Sequence, residues 1–401
     1  MTKPLIVIFT AIALDAVGIG LIFPILPRLL ESVTHTAHIA PYIGVMAALY
    51  ALMQFIFAPV LGALSDNLGR RPVLLISLAG AAINYVIMAV APQLWMLVLG
   101  RAIAGLTSAN MSVATAYITD ISPEATRARR FGLSGAMFGI GFIIGPVLGG
   151  WLGDYGLRLP FLVAAALNAG NLLLALFVLP DSRSRPASRI PARAGIDLSA
   201  FNPLRPLGRA LAIEGLLPIV VAFFILSAAG DSYGTCWALW GFDAFGWNGL
   251  WIGLSLGAFG ICQTGVQALL PGPAARLLGE RGALVTGLAA GVVALIVMAF
   301  ARAGWMVFAI MPVFALTGIG TPALMSLATR QVSPARQGEL QGVLASVVSL
   351  ASIVAPLGFS TLYFTIEKPW PGFIWLSVAV LYALAMPLVL WGVRRAAQAP
   401  A

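Results

Sequence analysis

Twelve long apolar stretches run along the chain, separated by short turns that carry charges, glycine or proline. Each stretch has the ~20 mostly apolar residues that an α-helix needs to cross a bilayer, and none alternates apolar and polar residues as a barrel strand does. The pattern therefore predicts an all-α integral membrane protein with twelve transmembrane helices. The predicted spans lie near residues 5–27, 41–63, 73–92, 94–119, 130–153, 158–180, 212–236, 249–270, 282–301, 304–328, 338–362 and 372–392.

One polar segment is much longer than the others. Residues 181–210 are rich in Arg, Ser and Pro, which is typical of a connecting segment. We therefore expect an N-terminal six-helix bundle over residues 1–180, a linker over 181–210 and a C-terminal six-helix bundle over 211–401.

The composition supports a membrane protein. Hydrophobic residues make up 60% of the chain and charged residues 9%, which excludes a soluble globular protein. The net charge is +9, but the basic residues stand singly or in short clusters and form no basic face for nucleic acid. Most of the 23 Lys and Arg fall in alternate turns and in the linker, and basic residues favour cytoplasmic loops. This bias predicts that the linker and both termini are cytoplasmic.

The second half of the chain repeats the first at an offset of 210 residues, which indicates duplication. Matching residues are Gly62 and Gly272, Gly69 and Gly279, Arg71 and Arg281, Gly132 and Gly342, and Pro146 and Pro356. Three further positions reverse their charge: Asp66 and Arg276, Arg70 and Glu280, and Asp120 and Arg330.

These reversed charges suggest a gate at the cytoplasmic ends of the helices. If a pseudo-two-fold axis along the membrane normal relates the halves, opposite charges meet across the seam between them. The alternative is the ordinary solvation of charged turns. The candidate gate residues are Gly62, Asp66, Gly69, Arg70, Arg71, Asp120, Arg276 and Arg330.

The fifth predicted span carries small residues on one face. Glycine lets two helices approach closely, and the proline removes one backbone hydrogen bond and permits a bend at the interface of the halves. The residues are Gly141, Gly145, Pro146, Gly149 and Gly150.

Three charged residues lie more than four residues from either end of a predicted span, and at the centre of a span a carboxylate or guanidinium costs roughly 2.5–3.5 kcal/mol on insertion scales. Asp15 is a candidate proton carrier, with a neutral, hydrogen-bonded acid that fixes helix contacts as the alternative. Arg101 needs a partner, which is either Asp15 or a substrate anion. Asp231 is expected towards the outer end of the seventh span, where it either recognises a cationic substrate or faces the outer water.

Neutral polar side chains amid apolar walls suit an amphipathic drug in a cavity at the middle of the membrane. Aromatic residues there more often serve packing. The candidate substrate-binding residues, besides Asp231, are Asn84, Asn168, Asn171, Gln263, Gln267 and Trp237.

Several motifs carry a family resemblance. The run from Gly62 through Asp66 and Gly69 to Arg71 resembles the signature loop of the major facilitator superfamily, with Asn67 where a basic residue is common. The glycines around Pro146 resemble the antiporter signature of drug exporters.

A wider resemblance covers almost the whole chain. Residues 14–27, 62–72, 100–105, 116–120, 167–171 and 337–342 are similar to those of the twelve-span tetracycline/H+ antiporters. The resemblance implies a major facilitator fold in a bacterial inner membrane, alternating access, and drug efflux driven by proton entry. It implies a monomer whose partners are a small-molecule substrate, protons and lipid, with no cofactor and Mg²⁺ only as part of a tetracycline complex.

Three departures leave the substrate open. By the resemblance, an acidic residue is expected where this chain has Asn84 and where it has Gly291, and a histidine where it has Gln263. Export of a non-tetracycline natural product, or import of a nutrient or siderophore by the same fold, remain alternatives. Neither the two histidines in one outer loop nor the two separated cysteines form a catalytic or metal constellation, so we expect no enzyme and no metal site.

Overall fold

The computed structural model describes residues 3–108, 110–180, 216–332, 336–366 and 370–396, and the predicted linker lies outside them. Every regular element in these ranges is helical. Twelve of the helices, two of them interrupted, are long and apolar enough to cross a membrane. The predicted membrane-helix architecture is therefore confirmed.

The described residues divide into two compact units, one within Met1–Ala37 and Leu49–Asn202, the other within His38–Ala48 and Pro203–Ala401. The start of the third helix is therefore part of the second unit.

The helices of the first half are α1 (Lys3–Ile22), α2 (Leu26–Thr34), α3 (Ala40–Leu68), α4 (Arg70–Val90), α5 (Leu94–Leu106), α6 (Asn110–Ile121), α7 (Glu124–Tyr155) and α8 (Leu159–Val178). Within the first unit, α1 packs along α7 and α4 packs along α8.

The helices of the second half are α9 (Leu217–Phe245), α10 (Gly249–Leu269), α11 (Pro271–Ala299), α12 (Gly304–Ala315), α13 (Gly320–Thr329), α14 (Gln337–Ile366) and α15 (Phe373–Ala396). The second unit repeats the pairing of the first, because α9 packs along α14 and α11 along α15.

The duplication is also visible in the backbone. Gly69 has a φ of 101° and Gly279 a φ of 69°, values that residues with a β-carbon rarely adopt. Each glycine marks a sharp turn between two helical segments at the same place in its half. Gly62, in contrast, lies inside α3 and is not part of this turn.

Two transmembrane helices are interrupted at matching places. The fourth span breaks after α5 at Thr107, and the tenth passes through a 3₁₀ turn, Leu316–Ile319, between α12 and α13. Thr107 and Thr317 are equivalent under the 210-residue offset. Interrupted helices at corresponding positions of two repeats are typical of transporter binding regions.

Candidate functional site

Helix α1 lies directly against the small-residue face of α7. A β-carbon at Gly145 would lie 2.5 Å from the carbonyl oxygen of Val17, so no side chain fits there. Gly150, also predicted in this motif, is buried. The glycines that meet the α1 backbone pair as Gly141 with Ala13, Gly145 with Val17, and Gly149 with Leu21.

This contact orients Asp15. A helix turns about 100° per residue, so Asp15 lies about 200° around α1 from Ala13 and projects away from α7. One turn further on the same side, Gly18 contacts the hydroxyl of Tyr85 from α4. The close packing on one face of α1 therefore holds the acid on the other.

Asp15 and Arg101 share two tyrosines. Tyr50 and Tyr85 each lie within electrostatic range of both the Asp15 carboxylate and the Arg101 guanidinium. The guanidinium carbon of Arg101 stands 5.9 Å from the centre of the Tyr50 ring, a cation–π distance. Four helices thus bring a carboxylate, a guanidinium and two phenols to one polar centre, which we call the first-unit centre (Asp15, Tyr50, Tyr85 and Arg101).

The break in the fourth span adjoins this centre. The Tyr50 hydroxyl lies 2.9 Å from Oγ of Ser108, and Nε2 of Gln54 donates to the same oxygen at 3.1 Å. Sequence reasoning missed Tyr50, Gln54, Tyr85 and Ser108. The available signal was that Tyr50 and Gln54 are one turn apart on a helix and so share a face.

The predicted asparagines are buried. Asn84 is 2% exposed, and its Oδ1 has no hydrogen-bond partner among the described residues. Asn168 donates to the Ala164 carbonyl oxygen at 2.9 Å, while neither amide atom of Asn171 is satisfied within the described chain. Asn84 and Asn171 therefore hold hydrogen-bonding capacity that the described residues leave unused.

The second unit has an aromatic core instead of a charged pair. The ring of Tyr233 stacks on Trp375 with centroids 5.4 Å apart, and Trp237 donates from Nε1 to Oγ of Ser255 at 2.8 Å. Trp237 is 3% exposed. In this arrangement Trp237 is a packing residue with its N–H satisfied, and it shows no free surface to a substrate.

The two predicted glutamines lie at the break in the tenth span. A β-carbon on Gly318 would lie 2.7 Å from Nε2 of Gln263 and 3.2 Å from Cγ of Gln267, so both side chains pack on the bare backbone of the 3₁₀ turn. The Gln263 Oε1 is buried without a partner in the described part of the chain.

Gly291 has no room for the acid that the resemblance implies. A β-carbon there would lie 2.8 Å from Cε1 of Tyr382 and 2.9 Å from Cγ2 of Thr317. Tyr382 and Thr317 fill the space that a carboxylate would need.

Asp231 lies midway along α9, so the expectation that it sits towards the outer end is wrong. The helix continues to Phe245 because Trp237 and Trp240 are buried along it and Asp243, near its end, accepts a 2.6 Å hydrogen bond from Tyr363. One carboxylate oxygen of Asp231 accepts a hydrogen bond from Ser352, and the other is buried with no partner among the described residues.

The predicted gate charges pair inside each unit. Arg70 donates to Asp120 at 3.1 Å and also to Asp66, and in the second unit Arg330 donates to Glu280 at 2.8 Å. These are the same two positions of the repeat with the polarity reversed. Each of these charges thus has a partner in its own unit, and pairing across the seam between the halves is not needed to neutralise it.

The remaining gate residues differ in their surroundings. Arg71 donates to the Leu176 carbonyl oxygen at 2.7 Å, near the end of α8, as expected of an arginine beside a helix C-terminus. Arg276 is exposed. No group of three His, Cys, Asp or Glu side chains within the described ranges is placed to hold a metal ion.

Known proteins of similar sequence or structure are membrane transporters or drug-resistance proteins. Residues 8–262 match the Major Facilitator Superfamily. The tetracycline resistance protein of class C from Escherichia coli is 46% identical, over 97% of this chain and 96% of its own. The class G protein from Vibrio anguillarum is 43% identical, over 97% and 98%. The crystal structure of nucleoside transporter NupG superposes with a TM-score of 0.75 at 16% identity, covering 96% of this chain and 98% of that one.

Proposed function

Because the chain belongs to the major facilitator superfamily, and within it to the tetracycline resistance proteins, we propose that it exports a small hydrophobic or amphipathic drug in exchange for protons. The drug is tetracycline-like, and transport proceeds by alternating access. The observation that carries the proposal is the near full-length identity to several tetracycline resistance proteins, joined to a carboxylate inside the first membrane helix.

The membrane setting follows from the distribution of charge. The protein resides in the bacterial inner membrane with both termini in the cytoplasm, because its basic residues concentrate in alternate turns. It acts as a monomer and requires no cofactor beyond the proton gradient. Mg²⁺ takes part only as cargo in a complex with the drug.

Proton coupling is assigned to the first-unit centre. A proton entering from outside binds the Asp15 carboxylate and cancels its attraction to the Arg101 guanidinium, and both charged groups lie within electrostatic range of Tyr50 and Tyr85. Loss of that proton to the cytoplasm restores the attraction. The charge at the centre thus alternates between two values in each cycle, which gives the conformational change its direction.

Drug contacts are assigned to neutral groups with unused hydrogen-bonding capacity. Asn84, Asn171 and Gln263 each have a buried polar atom without a protein partner in the described residues. Such groups bind a ligand without a competing internal bond to break. Asn168 and Gln267 extend this polar lining.

The test is proton release from acidified everted membrane vesicles when tetracycline and Mg²⁺ are added. We expect a response from the wild type that is lost in Asp15→Asn. The matched control is Asp154→Asn, which makes the same change in the same unit at a partly exposed carboxylate paired with Arg28.

Each outcome of this assay has a distinct meaning. Normal drug-driven proton release by Asp15→Asn overturns the role of that acid. A response to unrelated drugs but not to tetracycline keeps the antiporter and changes its substrate. Silence with every compound, in vesicles that contain folded protein, contradicts efflux and favours import.

A further inference from the structure

The middle of the second half holds a single charge. Between Glu214 and Arg276 the sequence has only Asp231 and Asp243 as charged residues, and residues 282–301, 303–329, 340–366 and 369–393 have none. Asp243 is close to the end of α9 and is bonded to Tyr363. Asp231 is therefore the only charged group at mid-membrane depth in the second half.

Within the described residues, no cation of the helices packed on α9 lies at the depth of this acid. The elements of the second unit that pack on α9 are α10, α13, α14 and α15, and their mid-membrane segments contain no Lys, Arg or His. Ser352 satisfies one oxygen of the carboxylate, and the second has no partner among the described residues. An isolated carboxylate away from water is unfavourable, so this acid needs a proton or a cation that the mid-membrane segments packed on α9 do not supply.

The surface of α9 next to Asp231 is open. Gly230 and Gly234 lie on the neighbouring surface of α9, one turn apart, and both are exposed. Nothing lies within 4 Å of a β-carbon placed on Gly230. Large apolar side chains cover exposed positions elsewhere, such as Phe177, which is 86% exposed. Beside Asp231 the helix instead leaves space for a ligand.

We propose that Asp231 binds the positively charged group of a transported organic cation and takes up a proton when that cation leaves. The ligand class is a monovalent, lipophilic ammonium or phosphonium compound, because the site offers one charge in apolar surroundings. This inference deepens the proposed export function by naming a substrate class, and it assigns to the second half a cation site separate from Asp15.

The test is equilibrium binding of tetraphenylphosphonium, a permanent monovalent cation, to the purified full-length protein in detergent. The wild type binds it, and acidification weakens binding because protons compete for the carboxylate, by about tenfold per pH unit once the acid is mostly protonated. Asp231→Asn lowers the affinity at least tenfold and removes the pH dependence.

Two variants provide matched controls. Asp243→Asn makes the same change twelve residues further along the same helix and leaves both affinity and pH dependence intact. Ser352→Ala keeps the charge, so binding persists. If Asp231→Asn does not fold, Asp231→Glu is measured in its place. The longer side chain moves the carboxylate, so the affinity for the cation should change, while protons should still compete with the cation for binding.

The inference is overturned if the wild type does not bind the cation, if its binding ignores pH, or if Asp231→Asn binds like the wild type. Tetracycline-driven proton release in the same preparations separates the two proposals. Cation binding that depends on Asp231 without a tetracycline response upholds this inference and refutes the tetracycline assignment. The reverse result refutes this inference alone.

Discussion

The two halves keep the same scaffold around different centres. The first half places two opposite charges in its membrane interior, Asp15 and Arg101, whereas the second places one acid, Asp231, beside an aromatic core. The glycine turns at Gly69 and Gly279 are retained in both halves. Duplication has thus preserved the backbone geometry while the charge of the interior has diverged.

The helix ends show a second kind of divergence. Arg70 with Asp120 and Glu280 with Arg330 occupy equivalent positions, and each forms an ion pair of opposite polarity to the other. The two halves share an ion pair at these positions, but the acidic and the basic residue have exchanged places. An interaction that links the start of one helix to the end of another serves the scaffold in either polarity.

The largest expected effect comes from removing Arg101. Its loss removes the cation that shares Tyr50 and Tyr85 with the Asp15 carboxylate, and breaking such a buried arrangement costs about 3 kcal/mol. Arg101→Ala should therefore lower the thermal unfolding temperature in detergent clearly. Adding Asp15→Asn should recover much of the loss, because the double variant buries no charge. Strictly additive effects of the two changes would show that the groups are uncoupled.

The second half should respond in the opposite sense. Asp231→Asn removes a charge that no cation among the described residues of its own unit compensates, so the unfolding temperature should stay the same or rise. A fall comparable to that of Arg101→Ala would mean that Asp231 has a cationic partner, and the contrast between the halves would fail.

A smaller effect is expected at the helix contacts. Gly145 meets the α1 backbone directly, while its equivalent at the offset of 210 is Ala355 in α14. Gly145→Ala should cost about 1–3 kcal/mol because the two backbones must separate. Ala355→Gly should cost no more than about 1 kcal/mol, the difference in helix propensity. Equal losses by thermal unfolding would indicate that both contacts are equally close.

Hydrophobic patterning was sufficient to predict the fold. Twelve apolar stretches of bilayer length leave few alternatives in a medium where every backbone group must be satisfied within the helix. The offset of 210 residues also predicted the equivalent turns at Gly69 and Gly279. Both signals depend on local sequence and need no knowledge of how helices pack.

The polar centres depend on packing and were less predictable. Tyr50 and Tyr85 resemble ordinary apolar residues of a span until α1, α3, α4 and α5 come together. The break beside Ser108 contains neither glycine nor proline, the usual signals of an interrupted helix. The depth of Asp231 was misjudged because Tyr363 satisfies Asp243 from a distant helix and lets α9 run on.

The smallest expected effect concerns the reversed ion pairs. Partly exposed pairs contribute about 0.2–1 kcal/mol, so stability is a weak readout and drug-driven proton release is the better one. In the second unit, Glu280→Arg places two like charges together and should reduce transport, while adding Arg330→Glu restores the pair in the polarity of the first unit and should recover it. In the first unit, Arg70→Asp with Asp120→Arg should recover less, because Asp66 remains next to the new acid. Full recovery in both units would show that Asp66 has no part in the pair, and no recovery in either would show that polarity itself matters, as a gate between the halves requires.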